Sequence, residues 1–309
     1  MSHAAYSLSG LHMPFIIRPT PPFDFQRSAQ MHSRFRSNLP DLYEDGVYMR
    51  VLRANRKPVL VSVSSKGTTE EPKLLIDTYP SLNKPELLSL ERLLRSMFEP
   101  TFDFEHFCAI ARKDALMRKI AKKLRGLRPI RPPTIFESAI IAITEQQISL
   151  HAATAIRSRL IQRYADTVTR NERTFYGFPT PESLARAKPA GLRRVGLSGT
   201  KARCIGEFSR RIAEGGFDLE GLSRMDDDQV ASELTRFWGI GKWTAEYVLV
   251  RGMGRVNSLP ADDLGIRRAV SQAYFNGRRI STDKVRKMMM EKFAPYSGIA
   301  AFYLMYHLF

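Results

Sequence analysis

The first eighty residues alternate in short apolar runs. YMRVLR (48–53) and PVLVSVSS (58–65) are rich in Val and Leu and are separated by Ala54, Asn55, Arg56 and Lys57, which predicts an antiparallel hairpin. KLLIDTY (73–79) follows a polar stretch and predicts a third strand, and FIIRP (15–19) a fourth that ends at Pro19. One sheet face needs a cover, and ELLSLERLLRSMF (86–98), with leucines at helical spacing, supplies it. From about residue 80 the pattern turns helical and stays so. EHFCAIARKDALMRKIAKKL (105–124) carries apolar residues at period 3.6. GLRPIRPP (126–133) is a Pro-rich break and the best linker candidate. TIFESAIIAITEQQIS then opens a series of helices, among them FPTPESLARA (178–187), GLSGTKARCIGEFSRRIAEGG (196–216) with a glycine stop, and MDDDQVASELTRF (225–237) with an acidic first turn. No fixed-period repeat or low-complexity tract interrupts them.

Charge adds a partner to this picture. The chain carries 48 Lys and Arg against 31 Asp and Glu, a net +17, and nucleic acid is the leading polyanion for such a balance. Residues 111–133 hold nine basic residues against one Asp, either a solvated helix face or a wall for phosphates. No window approaches the length of a membrane-spanning helix, and MSHAAYSLSGLHMPF lacks the regions of a secretory signal, so no membrane partner is expected. Cys108 and Cys204 stand far apart without a partner motif, as buried free thiols of an intracellular protein do. The six histidines are isolated, which argues against a metal site built from His and Cys, and no phosphate-binding glycine loop is present. No cofactor is expected.

The chemistry concentrates in LTRFWGIGKWTAEYVLVRGMGRVNSLPADDLGIRR (234–268). Gly239 and Gly241 bracket Ile240 between two helical runs, and the second helix begins near Lys242. Its free N–H groups make a ready anion site. A lysine is unfavourable there unless an anion sits between; an ordinary turn with a solvated lysine is the plainer alternative. Trp243 and Tyr247 lie four apart on one helix face, as an aromatic wall or as core packing. Asp262 and Asp263 precede another helical run. One of the pair is expected to cap that helix and the other to face a cleft. A carboxylate beside an aromatic wall in a basic cleft suits glycosidic cleavage, whose transition state is oxocarbenium-like.

This order resembles the helix–hairpin–helix–GPD superfamily of DNA glycosylases, and within it the DNA-3-methyladenine glycosylase II type. PPFDF (21–25), GLRP (126–129), FESAIIAITEQQIS (136–149), FPTPESLA (178–185), GLSGTKA (196–202) and FAPYSGIAAFYL (293–304) also fall in the family's order, so the resemblance spans nearly the whole chain. It implies an α+β protein: a mixed α/β domain on an antiparallel sheet at 1–128, with the first helices of the core toward its end, and a helical glycosylase domain at 129–309. It also implies that Asp263, by its Asp-x-x-Ile pattern, is the catalytic aspartate, and that Trp243 and Tyr247 line the base pocket, with Met305 where some members have Trp. Gly239, Ile240, Gly241 and Lys242 would hold the DNA backbone, together with Thr200 and Lys201, and Gln147 would fill the gap left by the extruded base. No side-chain metal is implied, but K⁺ or Na⁺ can bind hairpin main-chain carbonyls in this family. Bifunctional members carry a Schiff-base lysine where this chain has Trp243, and Ser297 stands where many members have Arg.

The expected function is therefore a monofunctional glycosylase that flips alkylated bases such as 3-methyladenine and 7-methylguanine out of damaged duplex DNA and leaves an abasic site. A monomer is expected, in the cytoplasm or nucleoid of a prokaryote or in a eukaryotic nucleus. The rival readings are a glycosylase for hypoxanthine, oxidised or mismatched bases, and a DNA-binding protein without catalysis. The absent Schiff-base lysine and absent Cys cluster weigh against the first, and the carboxylate in a cationic cleft against the second.

Overall fold

The computed structural model describes residues 14–32, 39–99 and 102–308. Most of the segment read for a secretory signal lies outside them. Strands β1 (Phe15–Ile17), β2 (Leu42–Glu44), β3 (Val47–Ala54), β4 (Lys57–Ser65) and β5 (Leu74–Tyr79) form one antiparallel sheet in the order β1-β5-β4-β3-β2. The expected hairpin is β3–β4, with Ala54 opposite Lys57 and a two-residue turn in which Asn55 and Arg56 have φ of 46° and 70°. Positive φ at both positions is what a two-residue hairpin turn needs to follow the strand twist. Helices α1 (Phe25–His32) and α2 (Lys84–Phe98) cover one sheet face. A capping box between Asn83 and Glu86 starts α2, and its Leu90, Leu94, Met97 and Phe98 enter the core.

The sequence pattern predicts one helix over 105–124, but the chain forms two, α3 (Phe104–Ala111) and α4 (Ala115–Lys123). The cause is Asp114, whose carboxylate accepts from the N–H groups of Leu116 and Met117 and starts a new helix. The Pro-rich break that follows is no exposed linker. Leu127, Arg128 and Ile130 are buried, and the Gly126 carbonyl accepts from Asp24 N–H at 2.7 Å. Gly126 has φ +78°, and a Cβ there would lie 2.8 Å from the Asp24 nitrogen, so the PPFDF and GLRP segments pack against each other only through a glycine.

The helical region divides into two lobes. In one, α5 (Ile135–Glu145) and α6 (Leu150–Tyr164) precede a hairpin of β6 (Thr167–Arg170) and β7 (Arg173–Tyr176). There follow α7 (Pro181–Ala185), α8 (Pro189–Arg194), α9 (Gly199–Ala213), α10 (Asp227–Thr235) and α11 (Lys242–Tyr247). In the other lobe α3 and α4 share a core with α12 (Leu264–Tyr274), α13 (Thr282–Phe293) and α14 (Ser297–Leu308). Helices α3 and α4 are the core helices expected toward the end of the 1–128 domain, and they pack in this carboxy-terminal lobe.

The β6–β7 hairpin departs from the all-helical expectation after residue 80. Its Val168 and Phe175 cover the outer sheet face at Met49, Val51 and Leu60, and Arg173, Arg170 and Asp166 pair with Glu44, Asp77 and Arg53 of the sheet domain. A buried cluster ties the same sheet to the first turn of α5: Arg50 pairs with Asp41 at 2.5 Å and with Glu137, and Tyr48 donates to Asp41. Removing Arg50 leaves two buried carboxylates without their cation. Arg50→Met is expected to lose about 3–5 kcal/mol in urea unfolding, and the double variant with Glu137→Leu to regain part of it.

Candidate active site

A cleft of about 2090 Å³ runs between the two helical lobes and along the edge of the sheet domain. Helix α5 forms its floor. This helix is almost wholly buried, so its last carbonyls need donors from within the protein. Lys201, in the first turn of α9, supplies them: its Nζ donates to the carbonyls of Thr144 at 3.0 Å and Gln146 at 2.7 Å. The Gln146 side chain then donates through Nε2 to the Gly239 carbonyl and to Thr244 Oγ1, both at 2.9 Å. Lys201 and Gln146 thus strap α9, α5, the Gly-Ile-Gly hairpin and α11 into one unit. Lys201, expected at the DNA backbone, lines the cleft but is only 9% exposed, with its ammonium bonded to these two carbonyls.

Gln147 follows with φ +55°, turned out to solvent beside the half-exposed Ile148 and Leu150. In the hairpin, Ile240 is buried while Gly239 takes φ +83° directly over Cys204. A Cβ on Gly239 would meet the Cys204 sulfur at 3.0 Å, so glycine is required for both conformation and space. Burial pushes the Cys204 thiol up to about 12, which leaves it inert beneath the turn. Cys108, expected to be buried, is half-buried. Gly241 provides no side-chain cap for α11, so the N–H groups of that first turn face outward beside the exposed Lys242.

Trp243 and Tyr247 stand as expected on one face of α11, ring centroids 5.5 Å apart at 45°, and both line the cleft. A π-helical turn, Val248–Gly252, follows at once and brings Arg251 to the Tyr247 hydroxyl. Asp263 approaches from the other lobe. One carboxylate oxygen accepts from Ile266 N–H at 3.0 Å, capping α12; the other accepts from Trp243 Nε1 at 3.2 Å across the cleft. Asp263 thus carries both duties expected of the acidic pair, capping α12 and facing the cleft, while Asp262, exposed and accepting from Thr282 Oγ1, lines the cleft as well.

Met305 lines the same floor near Gly265, and Thr200 sits exposed on the rim. Ser297 does not enter the cleft: it is fully buried and donates to the Met289 carbonyl, so its departure from the family pattern touches the core of the carboxy-terminal lobe. Of the nine basic residues at 111–133, Arg131 alone lines the cleft. The amino-terminal caps of four helices, Ser149, Ser198, Gly241 and Asp263, also line it. Their partial positive charges suit a phosphodiester backbone.

Sequence reasoning missed Gln146, Glu145 and Arg157. Glu145 follows the apolar run of α5 that begins at Ala139, which was the available signal; its carboxylate pairs with Arg157 at 3.0 Å. Burial raises its pKa and the charge of Asp263 adds to the rise, against Arg157 and Arg251. Tyr247 is raised as well, by burial and then by Glu145. The cleft thus brings the faces of Trp243 and Tyr247 together with the carboxylates of Glu145 and Asp263, below the exposed Lys242. Among the described residues no group of three or more His, Cys, Asp or Glu can hold a metal. At the hairpin, the carbonyls of Phe237 and Gly239 each accept one internal hydrogen bond, from Ile240 N–H and from Gln146, which leaves each a second lone pair.

The profile of HhH-GPD superfamily base excision DNA repair proteins matches residues 140–295. The DNA-3-methyladenine glycosylase of Bacillus subtilis is 24% identical over 291 residues, 94% of this chain and 96% of that protein. The solved 3-methyladenine DNA-glycosylase from Archaeoglobus fulgidus superimposes with a TM-score of 0.83 at 30% identity, covering 95% of this chain and 98% of its own. The Schizosaccharomyces pombe 3-methyladenine DNA glycosylase, solved in complex with abasic DNA, aligns with a TM-score of 0.56 at 26% identity over 65% of this chain and 95% of its own.

The two lysines give opposite expectations for duplex binding. Lys242→Gln is expected to reduce the slope of log affinity against log salt by about one. Lys201→Met is expected to leave the slope unchanged but to lower stability by about 2–4 kcal/mol, since two buried carbonyls lose their donor. Fluorescence-anisotropy titrations across salt, paired with urea unfolding, check both.

Proposed function

The chain belongs to the HhH-GPD superfamily of base excision DNA repair proteins, and from that premise we propose that it is a monofunctional DNA glycosylase that removes alkylated purines from duplex DNA and leaves an abasic site. The observation that carries this reading is the Asp263 carboxylate, fixed by its own helix beside two aromatic rings. Relatives named for 3-methyladenine support the substrate class.

The mechanism follows from the geometry. Lys242, Thr200 and the free N–H groups of α11 take phosphates by counterion release, without regard to sequence. A monovalent cation on the carbonyls of Phe237 and Gly239 would add positive charge facing the backbone. Gln147, with Ile148 and Leu150 beside it, fills the stack when the damaged nucleotide rotates out. The flipped base lies against Trp243 and Tyr247, a contact of about 1–3 kcal/mol for base stacking. N3- or N7-alkylation makes the purine cationic, a better stacker and a better leaving group. As the glycosidic bond breaks, positive charge grows on the sugar, and the free face of Asp263 stabilises it and orients the attacking water. The Ile266 N–H and the Trp243 indole hold that carboxylate in place without neutralising it.

No lyase step is included, because no amine is free at the floor. Trp243 occupies the position two residues past the second hairpin glycine, Lys201 is committed to two carbonyls, and Lys242 stands exposed at the outer end of α11. The protein acts as a monomer in this reading, and no helix among the described residues is long and apolar enough to cross a membrane.

Asp263→Asn separates the two duties of this side chain. Asn caps a helix about as well as Asp, so the melting temperature is expected to stay within about 2 °C. Release of methylpurine from a methylated duplex is expected to fall by about 10²–10³-fold with duplex affinity retained. Wild type is expected to release free base, with strand breaks only after alkali. Direct strand cleavage would overturn the monofunctional reading, and an active Asp263→Asn variant would overturn the role of the carboxylate.

A further inference from the structure

Glu145 is a second carboxylate in the cleft that the reaction as derived does not use. It ends α5 on the floor, and its side chain is 15% exposed. Arg157 holds one oxygen at 3.0 Å and is itself anchored to Thr144 Oγ1 at 3.3 Å and Thr154 Oγ1 at 3.4 Å. The second Glu145 oxygen has no hydrogen-bond partner among the described residues. The guanidinium is thus held by two threonines as well as by Glu145, and Glu145 itself lines the cleft. Glu145, Tyr247 and Asp263 line the same cleft, and the charge of Asp263 adds to the rise of the Glu145 pKa that burial causes.

Burying a carboxylate is costly, and stabilising charge on the sugar needs only Asp263. On the reading that the cleft accepts an extruded base, we propose that Glu145 is a specificity-determining residue that selects purines carrying a positive charge. Asp263 faces the sugar end of the bound nucleotide, and Glu145 faces the edge of the base that lies over Tyr247. A cationic purine there finds an aromatic face below and a fixed acceptor at its edge, each of which favours positive charge. A neutral purine of the same outline gains from the stacking but little from the carboxylate.

The test compares two nucleosides as competitors of base release from a methylated duplex. 1-Methyladenosine is cationic at neutral pH, and 1-methylinosine is neutral with nearly the same outline. Wild type is expected to be inhibited about tenfold more tightly by the cation, the scale of one charge-assisted contact in a partly buried site. In Glu145→Gln, whose amide oxygen still accepts from Arg157, the preference is expected to shrink to within about twofold, with inhibition by 1-methylinosine unchanged. Three results overturn the inference: no preference in wild type, a preference that survives in the variant, or equal weakening of both nucleosides, which marks a packing role. A wild type that releases no base from the methylated duplex overturns the glycosylase reading itself and the inference with it.

Discussion

A buried helix must hand its terminal carbonyls to someone, and in this protein that requirement organises the site. Helix α5 ends inside the molecule, and Lys201 takes up the carbonyls of Thr144 and Gln146. The Gln146 amide continues the chain of contacts to Gly239 and Thr244. The outward-turned Gln147, the hairpin and the aromatic helix therefore hold fixed positions relative to one another, although they are far apart in sequence. The other end of the same helix is anchored to the sheet domain through Glu137 and the buried Arg50. Helix α5 is the beam from which both the fold and the cleft are hung.

The second organising feature is the double use of one carboxylate. Capping α12 requires an oxygen at the first turn, and capping geometry fixes where the rest of the group points. Here it points across the lobe boundary at the Trp243 indole. Orientation that a mobile side chain would have to acquire during reaction is thus present beforehand, and preorganised charge is effective because it needs no rearrangement as the barrier is crossed.

Charge is distributed with a sense that the net value hides. The chain as a whole is +17, and the rim of the cleft carries the free N–H groups of α11 and the exposed Lys242. Deeper in the cleft the charges are mixed, the carboxylates of Asp263 and Glu145 lying with Arg157 and Arg251 around Tyr247.

Local signals in the chain carried four of the five strands of the main sheet, the helix over 86–98, the Gly-Ile-Gly turn and the acidic pair before α12, because turn glycines, caps and hydrophobic period act over a few residues; the three-residue β2 is too short to show a period. The break at Asp114 was visible as a capping residue, but the apolar period ran through it. The β6–β7 hairpin was overlooked because its two short strands are stable only against the outer face of a sheet formed a hundred residues earlier. Lys201 looked like a phosphate contact because spacing cannot tell a surface lysine from one whose ammonium is wanted by buried carbonyls. Glu145 and Gln146 lay in plain view in EQQIS, yet their partners Arg157, Gly239 and Thr244 come from other helices. Residue types and short-range geometry, then, determined most of the local elements and narrowed the chemistry to an aromatic helix and an acidic pair, from which the family resemblance singled out Asp263. Only the tertiary structure decided which polar groups face the cleft and which satisfy the interior, because hydrogen-bond demand inside a protein is settled by neighbours that the chain brings together from a distance.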